Sequence, residues 1–203
     1  MTGAAPVLGV LAGLIAIADT VPYVRDIVRG TTRPHRGTWL IWSVLAVVVF
    51  LSQRADGASW SLVMAGSQAV LMTLIFTLAI RRGVGGVTAG DLVMLGLAGG
   101  GIAGWLLADE PFVATACVVA ADLIGVAMMV PKTWVDPSSE TLSTFVLASV
   151  SGALAAGSVG ALDPALLLYP VYFCLGNGAL ALLILRRRAA LLNASRHLVI
   201  PTP

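Results

Sequence analysis

The sequence predicts an all-α integral membrane protein: seven transmembrane helices, built as two parallel three-helix repeats joined by a linker helix. Three observations predict it. Hydrophobic residues make up 58% of the 203 residues and charged residues only 11%, where a soluble domain carries about 25% charged residues. Seven apolar segments approach the ~20 residues that a helix needs to cross hydrocarbon. The chain also matches itself across its halves, at offsets of 109 and 103 residues. With a mean hydropathy of +0.95, its polar groups cannot cover a water-soluble globule. That excludes a cytosolic enzyme, a nucleic-acid-binding domain and a secreted disulfide scaffold.

The spans cover residues 6–24, 38–53, 60–80, 91–108, 111–131, 141–161 and 164–185. The start, MTGAAPVLGV, lacks the basic stretch of a signal peptide, so the first span reads as retained. Ser59 can cap the third span. Thr88 and Asp91 have capping-box spacing at the fourth. Asp109-Glu110-Pro111 and Asp163-Pro164 place acids and prolines where the fifth and seventh begin. On the fourth, Gly96, Gly100 and Gly104 form a tandem GxxxG row, with Gly99 and Gly101 beside it, suited to close helix approach. No strand precedes these glycines, so they are not a dinucleotide fingerprint. Residues 1–186 read as one membrane domain: repeat one 6–82, linker helix 88–108 and repeat two 111–186. A cytoplasmic tail, 187–203, follows.

Eleven of the twelve Lys and Arg lie on one side of these spans: Arg25, Arg29, Arg33, Arg36, Arg81, Arg82, Lys132, Arg186, Arg187, Arg188 and Arg196. Only Arg54 lies on the other. The positive-inside rule then puts the N-terminus outside and the C-terminus in the cytoplasm. The preference for Arg over Lys suggests a GC-rich bacterial source, and so a bacterial inner membrane. The loop RDIVRGTTRPHR sets this topology; lipid phosphate or a diphosphate is the other reading of its charges.

Pro22 pairs with Pro131, and Trp60, Gln68 and Ala69 pair with Tyr169, Asn177 and Gly178, at an offset of 109. Pro34 and Trp42 pair with Pro137 and Phe145 at 103. A six-residue insertion in the first basic loop accounts for the change. One linker span leaves both halves in the same orientation, and repeat interfaces near the midplane are the usual substrate sites. This 3+1+3 pattern resembles the SWEET and PQ-loop family over the whole chain. The resemblance also rests on Pro22, Pro131 and the following Pro137-Ser138-Ser139-Glu140. The family's Pro-Gln dipeptide is Pro22-Tyr23 and Pro131-Lys132 here. The resemblance implies a central cavity faced by Asn177 and, more loosely, Gln68.

Two carboxylates fall inside spans: Asp19, about one turn before Pro22, and Asp122, near the middle of span five. A charged Asp there costs about 2.5–3.5 kcal/mol on insertion scales, and no Lys or Arg lies within a span. A protonatable acid in a cavity is one reading. A carboxyl satisfied by neighbouring backbone or hydroxyl groups, or Asp19 paired with Arg25, is the other. Gln68 and Asn177 either face the cavity or join helices. Tyr169, Tyr172, Phe173 and Gly176 share one face of span seven. Trp39 and Trp42 stand one turn apart, and Tyr23 follows Pro22. Trp60, which opens span three, belongs with Trp105 and Trp134 to interfacial belts, yet is also a candidate cavity wall. Cys117 and Cys174 read as small buried hydrophobes. His35 and His197 stand alone, and no metal-ligand set or cofactor motif occurs.

The chain also resembles, in size, span count, buried acids and membrane aromatics, the small bacterial integral-membrane terpene cyclases of meroterpenoid and indole-sesquiterpene pathways. That resemblance implies protonation-initiated cyclisation of a farnesyl- or prenyl-bearing substrate. Asp19 or Asp122 would be the general acid, and the aromatics would stabilise the carbocation. The alternative is a SWEET-like transporter of a small solute. The expected partners are the bilayer and a hydrophobic isoprenoid-bearing molecule, not nucleic acid.

Overall fold

A computed structural model describes residues 4–55, 61–86, 88–108, 111–160 and 162–199. Their helices are α1 (Ala4–Ala18), α2 (Thr20–Arg29), α3 (Arg36–Ala55), α4 (Ser61–Arg82), α5 (Ala89–Leu107), α6 (Pro111–Val135), α7 (Leu142–Ser158) and α8 (Pro164–Val199), with a 3₁₀ turn at Pro137–Ser139. The described residues form no strand, only an isolated bridge between His35 and Val84. Among the described residues, four stretches are long and apolar enough to cross a membrane: Ala4–Arg29, Ala89–Leu107, Thr115–Val135 and Leu166–Ala194. Their outward faces carry exposed Val7, Leu14, Val93, Leu97, Leu123 and Leu175, as helices bathed in lipid require.

Several boundaries differ from expectation. The first span is broken at Asp19 and continues to Arg29. Pro22 has no N–H to give the Ala18 carbonyl, and its ring crowds that turn, so the helix stops and restarts there. Gly30, at φ +77°, then caps α2 through bonds to Asp26 and Ile27 carbonyls. At the other end, α8 runs unbroken past residue 186 to Val199, so no structural break separates a tail from the membrane domain. Charge ends a span in lipid but does not end a helix. The expected capping box at Thr88 and Asp91 is present. Asp163 accepts from Leu166 N at 3.4 Å, whereas Ser59, Asp109 and Glu110 lie outside the described residues. The glycine row does not act as a unit. Gly101 and Gly104 lie against Ala121 and Cys117 of α6, but a side chain at Gly96, Gly99 or Gly100 would meet nothing.

Helix α3 packs on α4, and α7 on α8; α1 packs on α7, and α6 on α3, α5 and α8. Gly152 lets α7 and α8 cross closely, since a Cβ there would stand 2.5 Å from Cys174 N. At the basic end, Tyr23, Ile27, Ile75, Met129, Phe145 and Ile184 form the main core. Arginines at that end cap helix C-termini: Arg82 donates to the Ile27 and Val28 carbonyls, and Arg187 to that of Trp134.

Candidate functional site

The helices line a partly open cavity of about 680 Å³ that receives residues from each described α-helix, the described lining including no Lys, Arg or His. Helix α6 supplies Thr115, Val118, Asp122 and Val126, a spacing that keeps one helix face inward. Helix α8 presents Tyr169, Tyr172, Phe173, Gly176 and Asn177, α3 presents Trp39 and Trp42, and α4 presents Gln68. Asp19 enters at the break between α1 and α2.

The two acids are held differently. Asp19 accepts from its neighbour Thr20 Oγ1 at 3.2 Å, and Arg25 bonds Asp26 instead. Asp122 Oδ2 accepts from Tyr172 OH at 2.5 Å, a bond from α8 to α6. Among the described residues Asp122 Oδ1 has no hydrogen-bond partner. Tyr169 stacks on Phe173 with ring centroids 5.8 Å apart and lies 6.5 Å from Tyr172. Trp39 and Trp42 meet edge to face at 5.0 Å. The Trp42 Nε1, packed against Gly125, is a buried donor with no partner among the described residues.

Gln68 and Asn177 both reach the cavity but do not bond each other. Gln68 Nε2 donates to the Ala16 carbonyl at 3.1 Å, and Asn177 Nδ2 to its own helix at Phe173 O, 2.9 Å. Gln68 has company: Ser151 Oγ donates to Ala12 O and Thr144 Oγ1 to Asp19 O. The three carbonyls, at residues 12, 16 and 19, lie along one face of the first span, so α4 and α7 both hold it along that face.

Tyr23 departs from its predicted place. It is fully buried beneath the cavity rather than on its wall. Its ring lies 4.7 Å from Trp39 and 6.3 Å from Phe145, both of which do line the cavity. Its hydroxyl accepts from Trp39 Nε1 at 3.1 Å and donates to Glu140 Oε2 at 2.8 Å. Lys132 Nζ pairs with the other oxygen, Glu140 Oε1. Burial pushes the Glu140 carboxyl above its ordinary range, against the pull of Lys132. Tyr23 and Lys132 follow the paired prolines, so two matched positions clasp one acid. Glu140 itself sits in an ordinary polar loop, and no sequence signal marks its burial.

Trp105, read from the sequence as interfacial, lines the cavity. Trp134 is 52% exposed and carries the Arg187 guanidinium 4.4 Å over its ring. Trp60 lies outside the described residues. His35 is buried, its Nδ1 3.3 Å from Thr38 N and its Nε2 3.8 Å from Asp91; burial lowers its pKa. The described residues contain no group of three His, Cys, Asp or Glu able to hold a metal. Arg33 of the basic loop pairs with Asp136 at 2.5 Å, and Arg36 bonds Ile80 O and Gly85 O, so these charges are engaged within the protein. Compared with known families, curated proteins and solved structures, the chain matches none.

Proposed function

We propose that the chain is a seven-helix, multi-pass enzyme of a bacterial inner membrane, N-terminus outside, that cyclises a prenyl-bearing substrate by protonating its terminal alkene. One observation carries this reading: both intramembrane acids and a set of aromatic rings line a single cavity, of a size suited to one small molecule. Tyr172 donates to Asp122 Oδ2, so the transferable proton of a neutral Asp122 sits on Oδ1. In the reaction that proton adds to the alkene terminus, carbon–carbon bonds form as the cation moves along the chain, and transfer of a proton from carbon to a cavity carboxylate, Asp19 or the Asp122 carboxylate left by the first step, ends it. The Tyr172 hydrogen bond stabilises the carboxylate left behind. Faces of Tyr169, Phe173 and Trp42 stabilise the travelling charge, and Asp19 is the second carboxylate facing it. The test is incubation of the purified protein in detergent with farnesylated aromatic substrates, read by mass spectrometry. A product isomeric with the substrate supports the reading; none across the series, with folded protein, overturns it.

A SWEET-like carrier is the second reading, favoured by the helix pairing. Under the sequence offsets, α3·α4 corresponds to α7·α8 and α1·α7 to α6·α3, and both members of each pair are in contact. Solute flux into proteoliposomes tests it.

A further inference from the structure

We infer that the cavity is a receptor for lipophilic organic cations, quaternary ammonium or phosphonium ions of drug size, whether or not it performs chemistry. The charge arrangement leads there. Asp19 and Asp122 share one cavity whose described lining contains no basic side chain. Basic side chains outside the lining are engaged elsewhere: Lys132 on Glu140, Arg25 on Asp26 and Arg33 on Asp136. A cation entering this apolar space draws the two carboxyls into their ionised form and is held by them, because a low dielectric weakens screening between opposite charges.

The wall selects which cation. Tyr169, Phe173, Trp42 and Trp105 present rings to the space, and ring faces attract diffuse cations. A small metal ion needs six or more oxygen ligands at fixed distance. Here many of the polar groups around the cavity are engaged: Thr144 on Asp19 O, Ser151 on Ala12 O and Gln68 on Ala16 O. A primary ammonium would also need acceptors for its three donors. A quaternary ion has no donors to satisfy, is weakly hydrated and buries its substituents against the apolar part of the wall. The same arrangement would hold a carbocation, which links the inference to the reaction proposed above without depending on it.

The experiment uses the full chain in a neutral detergent. It compares tetraphenylphosphonium with tetraphenylborate, ions of matched size and shape and opposite charge, by equilibrium dialysis against detergent blanks. Phosphonium should bind saturably and at least about tenfold tighter than borate. Asp122→Asn and Asp19→Asn should each weaken phosphonium binding about tenfold, and the double variant should reduce it to the blank. Equal binding of the two ions by the unmodified protein would overturn the inference without any variant, as would undiminished binding in a folded double variant. Cation binding by a protein that never turns over a prenyl substrate would support this inference and remove the cyclase reading. Turnover without cation binding would do the reverse.

Discussion

Matched positions in α3 and α7 reach the cavity together: Trp42 with Phe145, and Leu45 with Ala148. Gln68 of α4 and Asn177 of α8 do likewise. The first helices of the two halves behave differently. Asp19 and Thr20 enter from the break before α2, whereas their matches in α6, Met128 and Met129, are buried in packed cores. Asp122 enters from α6, whereas its match in α1 is buried Gly13. Pro22 interrupts its helix, yet Pro131 sits inside a continuous α6. Where offset-matched positions both reach the cavity they supply wall and volume, and each carboxylate comes from a position whose match does not reach it.

The largest test of that contrast is at the acids. Asp122→Asn should lower turnover by about 10²–10⁴-fold or more, since Asn preserves shape but is not a useful Brønsted acid. Asp19→Asn should cost less, because its hydroxyl partner is only the adjacent Thr20. Equal losses in single-turnover rates would erase the distinction between the two entry points.

Next comes the clasp of Tyr23 and Lys132 on Glu140. Glu140→Gln leaves the largely buried Lys132 without its counter-charge and should cost about 3–5 kcal/mol of stability. Tyr23→Phe removes the hydrogen bond to Glu140, leaves the Trp39 Nε1 donor without its acceptor, and should cost about 1.5–3 kcal/mol. Denaturant unfolding in detergent ranks the two; a near-neutral Glu140→Gln would make the clasp incidental.

Packing gives a third contrast. Gly152→Ala would press a methyl into the α8 backbone and should destabilise by about 1–3 kcal/mol. Gly100→Ala projects into open space and should change stability by less than about 0.5 kcal/mol. Thermal melting of the two variants checks the difference.

The smallest effect concerns the amides. Gln68→Leu breaks a bond between α4 and α1 and should cost about 1 kcal/mol. Asn177→Leu breaks only a bond within α8, which has its own helical ladder, and should cost less. The reverse order in unfolding measurements would contradict the grip on α1.

Much of the cavity was legible because polar residues are conspicuous in apolar spans. Asp19, Asp122, Gln68 and Asn177 stand out by cost alone, and the spacing of Tyr169, Tyr172 and Phe173 places them on one face. Burial of Glu140 was not legible, since a charged residue in a polar loop carries no such mark. Tyr23 illustrates the converse: its place beside Pro22 was readable, but its burial depended on a partner 117 residues away. Trp105 looked interfacial because depth along a helix does not reveal which face turns inward. The extension of α8 past Arg186 was hidden because a run of arginines marks the edge of lipid, not the end of hydrogen bonding.

The most direct measurement runs the prenyl substrate in D₂O with the unmodified protein and with Asp122→Asn. A terminal alkene protonated by Asp122 takes its proton from solvent-exchanged carboxyl, so the account predicts a cyclised product with one carbon-bound deuterium per turnover. It predicts no product from the Asn variant. A product lacking deuterium, or the same labelled product at an undiminished rate from Asp122→Asn, would contradict it.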